Sequence, residues 1–239
     1  MIFSPKLALR DMQPEIMDQP GLETAQHQNA LRGLARINWL SGSADILWQP
    51  IRRLAEQHHG RPLRVLDLGS GGGDVVIRLQ RRARRAGLPL TFAGADVSLT
   101  ALEHARQNTQ QAHEAIDFFQ LDALRSPLPE NYDIIMCSLF LHHLASDQAV
   151  DLLLRMGQAA KSMVLVNDLI RSRLGYLLAW LGTRVLSTSN IVHFDGPQSV
   201  RAAFTIAEAR ELAHQAGLHG AKISWRWPFR YLLEWRRQP

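Results

Sequence analysis

The residues best suited to chemistry form a glycine-rich segment, DLGSGGG, at residues 67–73. Glycine carries no side chain, so glycines at positions 69, 71 and 73 let backbone N–H groups approach a ligand closely. The segment follows the apolar run Leu63–Leu68 and precedes a helical pattern that begins at Asp74. A strand, a tight turn and a helix N-terminus in this order are typical of a nucleotide- or nucleoside-binding loop.

Asp74 discriminates between two classes of ligand. In the dinucleotide-binding pattern G-x-G-x-x-G/A, started at Gly69, the third small residue would fall on Asp74. A carboxylate at that helix start would repel a pyrophosphate, whereas the amino acid end of S-adenosylmethionine is zwitterionic and carries no phosphate. The pattern therefore favours S-adenosylmethionine, and an NAD-dependent oxidoreductase is the disfavoured alternative.

Two further acids end the next two predicted strands. The carboxylate of Asp96 can accept hydrogen bonds from both hydroxyls of a ribose, and a helix cap is the alternative. Asp122 lies where an adenine amino group would be, and an ordinary turn is the alternative. Both acids thus support a nucleoside ligand.

Alternating strands and helices must position these acids. Short apolar runs predict strands at 63–68, 90–95, 116–121, 132–138, 163–167, 222–227 and 229–235. Helical spacing predicts helices at 22–40, 44–59, 74–86, 147–160 and 205–216, with another that starts at Ser98. This alternation predicts an α/β fold with a doubly wound, mostly parallel seven-stranded sheet, whose carboxyl edge binds the ligand.

The predicted domain organisation has two parts. Residues 1–60 form an N-terminal arm, extended over 1–20, and cap helices. Residues 61–239 form the core, with an insertion at 168–203 that is suited to a lid or a substrate wall. In that insertion, LGYLLAWLGTRVL is predicted as a buried helix, with an apolar lid as the alternative, and NIVHFDGPQSV as irregular chain.

Composition sets broader limits on the class of protein. The chain has 239 residues, of which 46% are apolar, and a single cysteine. One cysteine excludes an intramolecular disulfide and fits a reducing cytoplasm. We expect a soluble protein, because the chain begins without a signal-peptide pattern and has no apolar run of about 20 residues.

The formal net charge is +5, and two arginine clusters contribute much of the excess. They comprise Arg78, Arg81, Arg82, Arg84, Arg85, Arg226, Arg230, Arg236 and Arg237. A solvated helix face and a basic tail are the simpler interpretation, and a surface for anionic lipid or nucleic acid is the alternative. Trp225, Trp227 and Trp235 keep a peripheral membrane contact open, although packing along a strand explains them as well.

Five motifs, in order, carry a family resemblance. VLDLGSGGGD, GADVS, QLDA, YDIIMCSLFLHHL and VLVND resemble class I S-adenosylmethionine-dependent methyltransferases over about residues 30–236. The resemblance implies S-adenosylmethionine as cofactor, bound by Arg36, Asp67, Gly69, Ser70, Gly71, Asp96, Val97, Asp122, Ala123, Cys137 and Ser138. It further implies that Arg36 pairs with the methionine carboxylate and that Cys137, Ser138 and Leu139 line the methyl-transfer site.

A narrower resemblance concerns the insertion. VNDLIRSRLGYLLAWLG and HFDGPQSVRAAFT are similar to segments of bacterial methyltransferases encoded beside type III polyketide synthases. That resemblance implies secondary metabolism and O-methylation of a phenolic or pyrone polyketide with an apolar chain. The predicted partner is therefore a small hydrophobic molecule, and the sequence does not indicate an oligomeric state.

Methyl transfer is an in-line displacement, so a base is needed only where the acceptor must lose a proton. His143 is the preferred candidate, followed by its neighbour His142, and by His193 and Asp195 in the insertion. The alternatives are that the first pair braces a loop or caps a helix and that the second pair forms a turn. The histidines have no metal-binding spacing, so no metal site is predicted.

Two other function classes stay as alternatives. The basic balance suggests a nucleic-acid methyltransferase, but an apolar CSLF at 137–140 stands where an Asn-Pro-Pro-Tyr-like loop would grip a flipped base. A non-catalytic module of the same fold is disfavoured by the intact glycine loop and by Asp96.

Overall fold

One seven-stranded sheet organises the computed structural model, which describes residues 7–18 and 22–238. The strands are β1 (Leu63–Leu68), β2 (Leu90–Asp96), β3 (Asp117–Gln120), β4 (Ile134–Ser138), β5 (Met163–Leu169), β6 (Lys222–Arg226) and β7 (Arg230–Arg236). Their order is β3-β2-β1-β4-β5-β7-β6. The first five strands are parallel, and β7 is antiparallel to β5 and β6. The predicted α/β fold is confirmed, with a sheet that is mixed at one edge.

Eight α-helices and two 3₁₀ segments accompany the strands in the described part of the chain. The α-helices are α1 (Thr24–Leu40), α2 (Ser43–Gln57), α3 (Asp74–Arg85), α4 (Leu99–Ala112), α5 (Ser146–Ala159), α6 (Arg173–Leu186), α7 (Asn190–Ala202) and α8 (Ile206–Gln215). The 3₁₀ segments are Ile16–Asp18 and Leu141–His143. Helices α2 and α3 bury one face of the sheet, and α5 and α8 bury the other.

Helix starts follow the predicted capping residues. The Ser98 hydroxyl accepts a hydrogen bond from the Ala101 N–H at 3.2 Å, which begins α4. At α8, the Thr205 hydroxyl accepts from the Glu208 N–H, and the Glu208 carboxylate accepts from the Thr205 N–H. This reciprocal pair satisfies two helix N-terminal donors, so the helix begins where the sequence predicts.

Strands β4 and β5 lie in the middle of the sheet. Every residue from 134 to 137 and from 163 to 168 is buried. Parallel strands that are covered on both faces have no solvent side, which explains their continuous apolar runs. Polar groups at their carboxyl ends, Asn167 and Asp168, therefore lie in a dry environment.

Helix α6 corrects one expectation. The sequence predicts a buried helix, and the structure has a helix of 14 residues with only Gly175 and Thr183 buried. Four of its five leucines are exposed, so the prediction of a buried helix is wrong, and the alternative of an apolar lid stays a prediction. No helix among the described residues is long and apolar enough to cross a bilayer.

Helix α7 corrects another. The sequence predicts irregular chain at residues 190–200, with a turn at Asp195-Gly196 as one alternative, but Asn190–Ala202 form a helix that contains Pro197. A Cβ at Gly196 would lie 2.4 Å from Cγ2 of Thr183 in α6. The glycine therefore permits close packing of α6 against α7, rather than a chain reversal.

The N-terminal arm is bonded along the insertion. The Arg10 guanidinium donates to the carbonyls of Ala202 and Leu144 at 2.7 and 2.9 Å, and it lies over the Phe204 ring. Residues 7–15 have no regular structure, as predicted, and a 3₁₀ turn follows. The rest of the predicted arm, 1–6 and 19–20, lies outside the described residues.

Candidate functional site

The glycine loop has the backbone conformation that its composition predicts. Gly69, Gly71 and Gly73 have φ values of +66°, +53° and +74°. A Cβ at Gly69 would lie 2.8 Å from the Phe140 ring. At Gly71, the nearest heavy atom to such a Cβ would be Cδ2 of Leu31 in α1, at 3.9 Å. The loop thus leaves room above Gly71, beneath a helix that covers it.

Asp96 ties the end of β2 to this loop. One carboxylate oxygen accepts from the Gly71 N–H at 2.8 Å, and the other accepts from the Ser98 N–H at 2.9 Å. Each carboxylate oxygen has two lone pairs, so these bonds are compatible with further acceptance from ribose hydroxyls. Val97, the next residue, exposes an apolar side chain beside this carboxylate. The arrangement suits a ribose with a base packed next to it.

Buried carboxylates surround the loop. Oδ1 of Asp67, Oδ2 of Asp74 and Oγ of Ser70 are buried and have no hydrogen-bond partner among the described residues. Burial raises the pKa of Asp67 well above its usual value, and the charges of Asp74 and Asp96 raise it further. Such a site fits a cofactor with positive charge, since a cation relieves the repulsion between the acids. The sulfonium and ammonium groups of S-adenosylmethionine supply that charge, whereas a diphosphate would add to the repulsion.

Arg230 is a buried cation that the sequence interpretation assigned to a basic tail. It is fully buried at the start of β7 and donates to the hydroxyls of Ser41 and Ser43, between α1 and α2. Burial lowers its pKa to about 10, while the charges of Asp168 and Asp74 act in the opposite direction. Because Arg230 is paired with Leu169 of β5, only the antiparallel register reveals its position.

A buried charge network lies at the carboxyl ends of β4 and β5. Nδ1 of His142 is 2.6 Å from Oδ1 of Asp168, and Nε2 of His142 is 3.7 Å from Oε1 of Glu15. Burial alone would lower the pKa of His142, but the two carboxylates raise it to about 10. His142 is therefore an imidazolium at neutral pH, held between two acids. Glu15 belongs to the N-terminal arm, and no sequence signal pointed to it.

His143 is placed next to this network. Its ring centroid is 4.3 Å from that of His142, and the side chain is half-buried. Phe140, whose ring packs on Gly69, directly precedes the 3₁₀ segment Leu141–His143. The short segment after β4 thus connects the cofactor loop to the histidine pair. Glu15, His142 and His143 bring possible ligand atoms within 4.8 Å of one another, a cluster that spacing in sequence does not reveal.

Cys137 and Ser138, two predicted cofactor residues at the end of β4, have different surroundings. Ser138 lies at the edge, where its hydroxyl accepts from the Asn167 side-chain amide at 2.9 Å. Cys137 has a fully buried side chain in the core beneath α5, and burial raises the pKa of its thiol well above the usual value. The Cys137 side chain is thus enclosed in the core, and the expectation that residue 137 lines the methyl-transfer site stays a prediction.

The other two candidate bases are engaged elsewhere. Nε2 of His193 is 2.7 Å from the Ser187 carbonyl oxygen, which holds the connection between α6 and α7. The carboxylate of Asp195 accepts from the N–H groups of Ile16 and Met17 at 2.8 and 3.0 Å. The sequence predicts that these side chains reach over the substrate. In the structure, His193 instead bonds within the insertion, and Asp195 bonds to the N-terminal arm.

Three further predicted cofactor residues stay predictions. Arg36 is exposed on α1 and lines a cleft of about 550 Å³ whose walls come from α1, α3 and α4. One oxygen of Asp122 accepts from the N–H groups of Leu124 and Arg125, which is the turn that the sequence left as an alternative. Ala123 is buried, and its carbonyl accepts from Arg155.

Comparisons with known proteins identify methyltransferases that are similar to this chain. Residues 65–162 match the family model described as a methyltransferase domain. The chain is 24% identical over 212 residues to a ubiquinone biosynthesis O-methyltransferase of Thiobacillus denitrificans, which covers 80% of this chain and 85% of that protein. It is 34% identical over 85 residues to a demethylmenaquinone methyltransferase of Deinococcus radiodurans, which covers 35% and 34% of the two chains.

Solved structures share the fold. Human N-acetylserotonin methyltransferase in complex with S-adenosylmethionine superposes with a TM-score of 0.66 at 17% identity, over 91% of this chain and 57% of that chain. The S-adenosylmethionine-dependent methyltransferase SibL gives 0.62 at 23% identity, over 84% and 56%. This chain thus spans little more than half the length of these two structures. The family match shows a methyltransferase domain at residues 65–162, and these structures show that the chain has the fold of S-adenosylmethionine-dependent methyltransferases.

Proposed function

We propose that the chain transfers the methyl group of S-adenosylmethionine to a hydroxyl oxygen of a small, largely apolar acceptor of the phenol or quinol type. The observation that carries this proposal is the buried Asp168–His142–Glu15 network beside His143, directly after the strand that borders the cofactor loop. The Thiobacillus relative is named an O-methyltransferase, which supports an oxygen acceptor. A phenolic or pyrone polyketide with an apolar chain is the narrower proposal, which rests on resemblance.

The chemistry of a phenolic acceptor accounts for the charged groups beside His143. A phenolic hydroxyl has a pKa of about 10, so it reacts with a sulfonium methyl group faster once its proton is removed. His142 is already protonated and cannot take that proton. We therefore assign the general base to His143 and the role of a fixed positive charge to His142. That charge favours the phenolate form of an acceptor nearby.

The cofactor supplies the electrophilic methyl group when it is bound, and residues of this chain hold it. Asp96 accepts the ribose hydroxyls, and Val97, Asp122 and Ala123 border the adenine. The backbone of Gly69, Ser70 and Gly71, together with Asp67, surrounds the methionine portion, and Arg36 pairs with its carboxylate. Ser138 would line the part of the site where the methyl group is transferred. Orientation of the two reactants and exclusion of water then account for the acceleration.

A product analysis tests the proposal. The protein is incubated with S-adenosylmethionine and a panel of phenols, quinols and hydroxypyrones with and without alkyl chains, and products are identified by mass spectrometry. We expect one added methyl group per product, located on oxygen, with a preference for alkylated acceptors. Methylation of carbon, or no methylation by a protein that binds S-adenosylhomocysteine, would contradict the oxygen acceptor.

A further inference from the structure

An exposed apolar stripe runs along α6. Leu174, Leu177, Leu178, Leu181 and Val185 are all exposed, and Val185 is the most exposed of them at 80%. Their spacing of three and four residues places them on one side of the helix. The buried residues of α6, Gly175 and Thr183, lie on the side that faces the protein. An amphipathic helix that turns its apolar side to solvent requires a partner, because such contiguous patches are rare on soluble proteins.

Two neighbouring segments extend this stripe. A Cβ at Gly175 would lie 3.2 Å from Cβ of Phe229, so the start of α6 rests on the turn between β6 and β7. Trp227 in that turn is exposed by 65%, and Trp225 near the end of β6 is exposed as well. The end of α1 is joined to the first residue of β7 through the Arg230–Ser41 hydrogen bond. We name the combined surface, which consists of the α6 stripe, Trp225, Trp227, Trp39 and Leu40, the apolar rim.

The apolar rim borders the acceptor side of the site. In the sheet, Arg230 and Tyr231 of β7 are paired with Leu169 and Asp168 of β5. The turn that carries Trp227 therefore lies at the carboxyl end of β5, where Asp168 binds His142. A partner on the rim would contact the protein at the entrance to the acceptor side.

The charges beside the stripe identify the partner. Helical geometry places Arg173, Trp180 and Arg184 along one flank of the stripe, and the Arg184 guanidinium lies 4.1 Å from the Trp180 ring centroid. Helix α6 contains no acidic residue. Arg171, two residues before α6, is buried in an ion pair with Glu208. The flank is thus uniformly basic.

We infer that the apolar rim docks on the surface of an anionic lipid bilayer. The leucines along one side match the acyl chains of the bilayer. The tryptophans at the border match its interfacial layer, and the arginines on the flank match the anionic headgroups. A symmetric contact between two copies of this chain would bring the arginine flanks together and repel, whereas an anionic leaflet attracts them. With 14 residues, α6 is too short to span a bilayer and would lie in its surface.

Vesicle co-sedimentation of the full chain tests this inference. We expect binding to vesicles of phosphatidylglycerol and phosphatidylcholine, with weak binding to phosphatidylcholine alone. The double variant Leu177→Glu/Leu181→Glu should lower the partition coefficient about tenfold or more. Two apolar side chains that contact the bilayer are replaced by carboxylates, which the anionic headgroups repel. Leu154→Glu is the matched control, since Leu154 is an exposed leucine of α5 and should leave binding unchanged.

A charge variant separates the two contributions. Arg184→Gln should lower binding to anionic vesicles about fivefold, which corresponds to the loss of one basic residue near the surface. Arg52→Gln, an exposed arginine of α2, is its control. Affinity for S-adenosylhomocysteine should be equal in all four variants, which shows that they are folded.

Three outcomes would overturn the inference. They are equal vesicle binding by wild type and the double variant, equal binding to neutral and anionic vesicles, and a dimer in light scattering that the double variant dissociates. The vesicle measurement needs no acceptor, so a failure of the proposed O-methylation is recognised separately. Docking on the bilayer would also let an apolar acceptor enter the site from the lipid, and this part of the inference rests on the proposed function.

Discussion

The two sides of the carboxyl edge are built differently. On the cofactor side, the loop at 67–73 and the end of β2 are joined by backbone N–H groups and a single carboxylate, that of Asp96. On the acceptor side, Glu15, His142 and Asp168 come from the arm, the segment after β4 and β5. The first side is local in sequence and relies on backbone geometry, while the second depends on tertiary contacts between charged groups. We expect the first side to set cofactor affinity and the second to set turnover and stability.

The largest effect is expected at the proposed base. His143→Asn should lower kcat by about 10²–10⁴-fold, the range that general base catalysis contributes. Affinity for S-adenosylhomocysteine, measured by calorimetry, should stay unchanged because His143 belongs to the acceptor side. Steady-state kinetics with a methylated phenol as product provide the readout. A variant with wild-type kcat would show that His143 is not the general base, and it would contradict the assignment of turnover to the acceptor side.

The buried network should next be visible in stability. His142→Gln should lower the free energy of unfolding by about 3–5 kcal/mol at pH 6, because it leaves two buried carboxylates without their cation. The pKa of His142 is raised to about 10, so its stabilisation is complete below about pH 6.5 and disappears as the pH rises through about 10. Urea unfolding from pH 6 to 10 should therefore show a difference between variant and wild type that shrinks with pH.

His214→Gln, at an exposed position of α8, is the control for this series. It should be close to wild type at every pH. A difference for His142→Gln that does not vary with pH would mean that the imidazole is neutral in the folded protein.

A smaller effect is expected on the cofactor side. Asp96→Ala should weaken binding of S-adenosylhomocysteine by about 1.5–3 kcal/mol, since hydrogen bonds to a charged group are lost. Glu103→Ala, an exposed acid on the following helix, should bind normally. Calorimetric titration distinguishes them, and unchanged affinity of Asp96→Ala would remove this carboxylate from the ribose site.

The smallest effect concerns Arg36. If it pairs with the methionine carboxylate, Arg36→Gln should weaken cofactor binding by about 1 kcal/mol, as for an exposed ion pair. Arg32→Gln, which alters the same cleft on α1, is the matched control. Equal affinities of the two variants would show that the cleft is separate from the cofactor site.

The cofactor side could be predicted because its signals are local. Positive φ values at Gly69, Gly71 and Gly73 follow from glycine alone, and the Ser98 cap follows from the residues beside it. The sheet with its carboxyl edge follows from periodicity, which also gives the correct type for each strand. Strand and helix ends differ from the predictions by one or two residues, where fraying and caps compete.

The acceptor side could not be predicted to the same degree. Glu15 and Arg230 acquire their roles only through pairing with distant elements, and no local pattern distinguishes them from surface charges. The turn residues of α7 misled the prediction because Gly196 serves helix packing against Thr183. Periodicity identified an apolar α6 but could not show that its stripe faces outward, since burial depends on what is packed next to a helix.

The single thiol of the chain offers a practical consequence of the buried central strand. Cys137 lies between β1 and β5, fully enclosed, and its pKa is raised well above the usual value. A maleimide or iodoacetamide added to the native protein should therefore label it only when the middle of the sheet opens. The labelling rate would report how often this enzyme core opens, with no need for a known substrate.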